Sequence, residues 1–416
     1  MRQFSTLSPG IKQYLLVTAN YWAFTLTDGA LRMLVALHFH DLGYSPLDIA
    51  LLFLFYEFFG VVTNLVGGWI GAHIGLNRTM NIGLGLQVFA LAMLLVPGSL
   101  LTVPWVMAAQ ALSGIAKDLN KMSAKSSVKL LVPAAGQGRL YRLVALLTGS
   151  KNTLKGVGFF LGGALLSLLG FAGAVLAMAA ALAVVWLLSL LLLKADLGTA
   201  ASKPRFTEMF SKSSSVNRLS AARLFLFAAR DVWFVVALPV YLSSVFGWSN
   251  VSVGSFLALW IIGYGGMQVV APAITRAAGA GLPDGRVAFR WALLLSLITV
   301  SMTIIPDAIP LNAVPPGSSP GVGPQIALLT GLLVFGAVFA VNSSLHSYLI
   351  VSYAREDGVS LDVGFYYMAN AMGRLLGTVL SGWLCQLFGL PSCLLVSAAF
   401  VAIAAVVSLS LPRQPR

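Results

Sequence analysis

Long apolar runs and short polar breaks alternate along the whole chain, on a period far longer than that of an amphipathic soluble helix. Twelve such runs lie near 12–38, 46–72, 79–97, 103–131, 140–170, 173–193, 219–245, 250–274, 287–306, 325–350, 363–388 and 391–411. An apolar stretch of about 18 or more residues reads as a membrane-spanning helix. The pattern therefore predicts an all-α membrane protein with twelve transmembrane helices. Several runs exceed the roughly 20 residues a crossing needs, which predicts tilt or extension past the bilayer. The opening MRQFSTLSPGIKQ is basic and polar, but the apolar run behind it is too long for a signal-peptide core. No small-residue cleavage site follows, so the first helix is expected to stay.

The longest polar break, Lys194 to Arg218, falls between the sixth and seventh runs. It predicts an N-terminal six-helix bundle over 1–193, a cytoplasmic linker over 194–218 and a C-terminal six-helix bundle over 219–416. Ile309 to Pro324 reads as a turn-rich outer loop. The two halves repeat each other. A shift of 219 positions places Lys155 on Arg374, Gly158 on Gly377, Gly163 on Gly382 and Gly170 on Gly389. A shift of 222 places Gly114 on Gly336 and Asn120 on Asn342. The turns DLGYSPLD and VFGWSNVS match at a shift of 204, Gly43 on Gly247 and Ser45 on Ser249, each serine placed to N-cap the next helix. Two six-helix pseudo-repeats of this kind predict the major facilitator fold, with substrate expected near the midplane between the halves. That fold usually carries a glycine, acid, basic, glycine signature between its second and third helices. Here the stretch reads GWIGAHIGLNR, with Gly68 and Gly75 in place and Ala72 where the acid belongs.

Composition agrees with a membrane setting. The chain is 58% hydrophobic and only 9% charged, with a mean hydropathy of +0.89, whereas soluble domains carry about 25% charged residues. The net charge of +13 would suit nucleic acid, but its distribution does not. With the N-terminus inside, Lys and Arg populate the inner loops, and the expected outer loops hold none. This predicts a multi-pass protein of the inner (cytoplasmic) membrane with both termini cytoplasmic and no nucleic-acid partner. Cys385 and Cys393 give neither a disulfide framework nor a metal pattern and read as small core residues. No metal and no cofactor is expected.

Charges inside the apolar runs carry the candidate chemistry, because each costs roughly 2.5–3.5 kcal/mol at the bilayer centre on insertion scales. In GIAKDLNKMSAK, residues 114–125, Lys117, Lys121 and Lys125 stand four apart, and Lys129 continues the stripe. Lys125 and Lys129 are expected to snorkel to the inner surface. Lys117 lies some fourteen residues into its run, about 21 Å at 1.5 Å per residue. Lys151, Lys155, Arg230 and Arg374 are similarly deep, and Arg32 stands one turn after Asp28. Seven embedded cations (Arg32, Lys117, Lys121, Lys151, Lys155, Arg230, Arg374) against Asp28, Glu57, Asp118 and Asp231 leave an excess of three. Asp28 and Arg32 are spaced for an intrahelical pair, and Asp118 and Asp231 can each neutralise a cation across the bundle. The remaining excess asks for an anion. The candidate substrate-binding set is the seven cations with Asn120 and Asn342. Asn20, Asn64, Gln110, Asn152, Asn370 and Tyr366 are neutral helpers, and His346 is either a ligand contact, a proton-linked group or a satisfied core histidine. Asp28, Glu57, Asp118 and Asp231 are the proton-coupling candidates, with Glu57, least neutralised by its sequence neighbours, and Asp28 ranked first. No catalytic residues are expected.

Six segments (NYWAFTLTDGALRMLVALHFH, FYEFFGVVTNLVGGW, NRTMNIGLGLQ, AQALSGIAKDLNKMSAKS, LLTGSKNTLKGVGFFLGG and AARDVWFVVALP) resemble the ArsJ-type organoarsenical efflux permeases, a branch of the major facilitator superfamily. The resemblance runs through nearly the whole chain and is densest in its first half. It implies secondary active export of 1-arseno-3-phosphoglycerate, formed when a glyceraldehyde-3-phosphate dehydrogenase uses arsenate in place of phosphate. Arsenate resistance follows, with the dehydrogenase as a functional and not necessarily physical partner. The resemblance transfers no binding residues, so the site set rests on the charges. The alternatives are an organic-phosphate exchanger of the same fold and, from another class, a membrane-embedded transferase. The latter finds neither a His followed five positions later by Asp nor a metal-spaced His pair. The absence of a G-x-x-x-x-G-K-[ST] loop disfavours ATP drive.

Overall fold

A computed structural model of the chain describes residues 9–44, 52–131, 136–193, 197–201, 203–210, 213–278, 283–307 and 322–412. Among these residues every regular element is helical. In chain order they are α1 (Pro9–Asp41), α2 (Leu54–Ile74), α3 (Leu76–Met93), α4 (Val103–Leu131), α5 (Gly136–Leu192), α6 (Ser214–Phe234), α7 (Ala237–Ser244), α8 (Asn250–Ala277), α9 (Gly285–Asp307), α10 (Val322–Tyr353) and α11 (Val359–Leu409). Short 3-10 turns lie at Gly98–Leu100 and Phe206–Met209. Among the described residues, seven helical stretches are long and apolar enough to cross a membrane. Two of them, of 55 and 51 residues, are about twice the length of one crossing.

The expected twelve runs map onto these elements with three adjustments. The fifth and sixth runs share α5, which turns at Gly170 (φ 65°), and the eleventh and twelfth share α11, which turns at Gly389 (φ 75°). Only glycine takes that backbone region without penalty. The seventh run is split into α6 and α7. Ser249 N-caps α8, its Oγ accepting from Ser252 N at 3.2 Å. Ser45, and the expected outer loop up to Gly321, lie outside the described residues.

The chain divides into two compact units: residues 1–213 with 350–368, and residues 214–349 with 369–416. Each unit repeats the other's close helix approaches at the offsets seen in the sequence. In the first, a Cβ on Gly158 of α5 would lie 2.6 Å from Leu26 O of α1. In the second, a Cβ on Gly377 of α11 would lie 2.6 Å from Ala228 O of α6. Gly114 of α4 likewise admits the backbone of Tyr56 from α2, and Gly336 of α10 admits the ring of Trp260 from α8.

Part of the expected linker is ordered within the first unit and docks on the α2–α3 turn. Leu76 N donates to Leu197 O at 2.7 Å, Ala200 N to Ala72 O at 2.9 Å and Trp69 Nε1 to Pro204 O at 3.0 Å. Ala72 is fully buried in a small apolar cluster with Ala200, Met209 and Leu361. An acid at that position would be sealed among hydrocarbon, which accounts physically for the departure from the usual signature. The beginning of α11 completes this corner: Ser360 Oγ donates to Gly68 O at 2.8 Å, and Asp357 Oδ1 accepts from Ala201 N at 2.9 Å.

Candidate functional site

In the first unit the charges gather around Asp118 on α4, whose side chain is 1% exposed. Lys121 reaches its Oδ1 at 2.5 Å, and Lys117 lies 3.7 Å from Oδ2. Gly60 of α2 makes the room, since a Cβ there would stand 2.9 Å from Asp118 Oδ2. Tyr56 of α2 ties this group to α1: Lys117 Nζ sits 3.8 Å from its ring centroid, and its hydroxyl donates to Asp28 at 2.6 Å. Arg32 also stacks on that ring, at 4.3 Å, and pairs with Glu57 at 2.9 Å. Lys121 in turn lies over Tyr367, 4.8 Å from the centroid. Asp118 is shared by two ammonium groups, and with Arg32, Glu57 and Asp28 included the cluster sets three cations against three acids.

The second unit is built around Asp231 on α6, fully buried, which takes Arg230 at 2.5 Å and Arg374 of α11 at 3.1 Å. Arg230 rests among Phe227, Phe234 and Phe339, with centroids 4.9, 5.8 and 5.7 Å away. Asn120 and Asn342 occupy matching places in the two units. Each amide donates to the carbonyl four residues back, Ala116 and Val338, at 2.9 and 3.1 Å. Asn120 also packs against Gly83 of α3. Lys151 donates to Asn152 at 3.3 Å, and Lys155 is half-buried with its backbone carbonyl against Gly29. Asn20 donates to Ser189 at 2.8 Å, Asn64 bonds back to Gly60 O, and Gln110 and Tyr366 are fully buried.

Four sequence-based readings change. Arg32 turns to Glu57 while Asp28 takes the Tyr56 hydroxyl, so the expected Asp28–Arg32 pair gives way to two links between α1 and α2. The same contact means that Glu57 carries a cationic partner, which removes the reason for ranking it least neutralised. Lys125 does not snorkel: it is 2% exposed. Lys129, one turn on, hydrogen-bonds Ser352 O at 3.3 Å and Ala354 O. Arg223 on α6 joins the embedded cations, although the sequence-based set lacks it. It is 3% exposed, donates to Asn370 Oδ1 at 2.8 Å and to Ser343 O and Oγ at 3.2 Å, and lies 4.0 Å from the Phe227 centroid. Its seven-residue spacing from Arg230, which puts both on one helix face, is the signal that could have found it. Adding Lys125 and Arg223, and on the same burial Asp362 of α11 (1% exposed), makes nine embedded cations against five acids, an excess of four. Among the described residues no group of His, Cys, Asp and Glu side chains could hold a metal ion.

A multi-pass helical fold with charged groups in its apolar interior defines a membrane transporter of small molecules. The chain matches the Major Facilitator Superfamily over residues 14–314 and belongs to it. It is thus a secondary transporter rather than an enzyme. The fold is similar to that of the E. coli fucose:proton symporter FucP, with a TM-score of 0.73, 12% identity and coverage of 97% of this chain and 99% of that one. It is also similar to the human organic anion transporter MFSD10 (TETRAN), with a TM-score of 0.74, 16% identity and coverage of 97% and 100%. A bacterial homologue of the iron transporter ferroportin in an outward-facing state gives a TM-score of 0.71, 16% identity and coverage of 95% and 98%. No curated protein matches this sequence significantly.

Proposed function

We propose that the protein exports a small organic polyanion, 1-arseno-3-phosphoglycerate, by alternating access of bundles 1–193 and 219–416, and so confers arsenate resistance. The observation that carries this reading is the excess of embedded cations, with one acid at the centre of each group: Asp118 between Lys117 and Lys121, and Asp231 between Arg230 and Arg374. A phosphate ester carries about −1.5 to −2 at neutral pH, and an arsenate group adds comparable charge. Arginine offers planar paired donors to such oxyanions, and lysine a mobile point charge. Arsenic in this pentavalent ester needs no thiolate. Arsenite would favour soft sulfur, whereas Cys393 is buried and Cys385 half-buried among apolar side chains of the second unit. The resemblance of six segments to the ArsJ-type permeases selects this substrate among organic phosphates. A glyceraldehyde-3-phosphate dehydrogenase acts upstream as the source of substrate. The protein sits in the inner membrane with both termini cytoplasmic. Coupling to protons falls to Asp28, Glu57, Asp118 or Asp231, each of which holds a partner that an arriving anion competes with.

Uptake into inverted membrane vesicles tests the proposal. Vesicles are supplied with arsenate, glyceraldehyde 3-phosphate, the dehydrogenase and NAD, each omitted in turn. Arsenic accumulation is expected only with the complete mixture. Accumulation with arsenate alone would replace the reading with a plain oxyanion pump. No accumulation in any arm, with the protein present, would point to an organic-phosphate exchanger.

A further inference from the structure

The second unit contains a donor-rich cluster that the Asp231 group does not use. Asn370 turns its amide oxygen to Arg223, which leaves its NH2 group as a donor, and Ser343 receives the guanidinium through both its carbonyl and its hydroxyl. These contacts fix the orientation of Arg223. One turn beyond Ser343 on α10 stands His346, fully buried and within the field of Arg223. Among the described residues neither of its ring nitrogens has a hydrogen-bond partner. Its neighbours differ: Ser344 donates to Gln268 O at 3.4 Å and Ser347 to Ser343 O at 2.8 Å. A buried imidazole with both nitrogens unused is costly unless something binds it in part of the working cycle.

Arg223 and Arg230 both lie over Phe227, 4.0 and 4.9 Å from its centroid, which bounds their Cζ atoms at 8.9 Å apart. Two guanidinium groups no further apart than that suit a molecule with an oxyanion at each end. We infer that Arg223, Ser343, Asn370 and His346 form a second oxyanion-binding station, which receives one terminal group of a bis-anionic substrate while Arg230 and Arg374 receive the other. Every group in the station can donate, guanidinium, amide NH2, hydroxyl and imidazole N–H, which is the complement an oxyanion requires. The biological role of the station rests on the anion-export reading above. Its affinity for an oxyanion is tested separately, with inorganic phosphate as the probe.

The full chain has four histidines, so ring-nitrogen NMR of histidine-labelled protein in nanodiscs resolves them, with His346→Gln assigning the buried one. Phosphate is expected to shift the His346 signal saturably. Arg223→Gln should weaken that response at least tenfold. Should Arg223→Gln not fold, Asn370→Asp decides, because it keeps the arginine but places a competing carboxylate against it, and it too should weaken phosphate at least tenfold. A His346 signal indifferent to phosphate, or a response that the folded variant leaves unchanged, overturns the inference. A phosphate response at His346 without arsenic accumulation in vesicles would keep the station and remove only the assigned substrate.

Discussion

The two units use one scaffold and wire it differently. Tyr56 in the first and Trp260 in the second stand at matching positions, each filling the gap left by a glycine on the facing helix. Tyr56 spends its polar atom on Asp28 and its ring on Lys117 and Arg32, so it belongs to the charge network. Trp260 spends its Nε1 on Leu332 O at 2.9 Å and its ring on Trp233, Phe234 and Tyr264, so it locks α8 to α10. The acids differ in the same way. Asp118 takes both lysines from its own helix, while Asp231 ties α6 to α11 through Arg374. Shared packing therefore does not imply shared chemistry. The first unit holds its charges on flexible stems linked through a tyrosine, and the second holds them in a rigid arginine fork braced by aromatic rings.

The largest effect that would sharpen this contrast is expected at Asp231. Asp231→Asn leaves two arginines without their common carboxylate and should cost about 3–5 kcal/mol of stability. Asp118→Asn should cost roughly half that, because lysine stems can swing away. Equal losses in denaturation of the purified variants would break the distinction. Next come Lys117→Ala and Arg374→Ala, each expected to lower vesicle transport at least 100-fold, about 2.7 kcal/mol, with membrane expression intact. Transport at the wild-type rate in either would show that its unit does not contribute a binding cation. Gly158→Ala and Gly377→Ala test the shared scaffold. Each forces a Cβ onto a facing backbone, and both should destabilise by about 1–3 kcal/mol, to a similar extent. The smallest effect is Ser249→Ala, which removes the α8 N-cap and should lower the thermal midpoint by the equivalent of about 1 kcal/mol.

Much of the scaffold was legible because membrane helices announce themselves by length and because glycines mark where helices touch. The pairs Gly158 and Gly377, Gly114 and Gly336, and Gly170 and Gly389 recur at their sequence offsets as close approaches or turns. The cations Lys117, Lys121, Arg230 and Arg374 were visible for a related reason, since a charge within an apolar run demands an explanation. Depth near a helix end was not legible. Lys125 looked close enough to the surface to snorkel, and Arg223 stands only five residues past the basic boundary at Arg218. Whether such a side chain turns inward depends on what packs around it. The role of Tyr56 was hidden as well, because its partners Asp28 and Lys117 are far apart in sequence.

The first unit borrows residues 350–368, which are made after the 136 intervening residues of the second. At about 5–20 residues per second that interval lasts roughly 7 to 27 s. During biosynthesis the docked segment around Ala200 must therefore wait for Asp357, and Gly68 for Ser360. Until then a newly inserted first half carries unfinished polar edges. The first half is finished only by the return of a distant segment, so a chain that stalls before residue 368 leaves both halves incomplete.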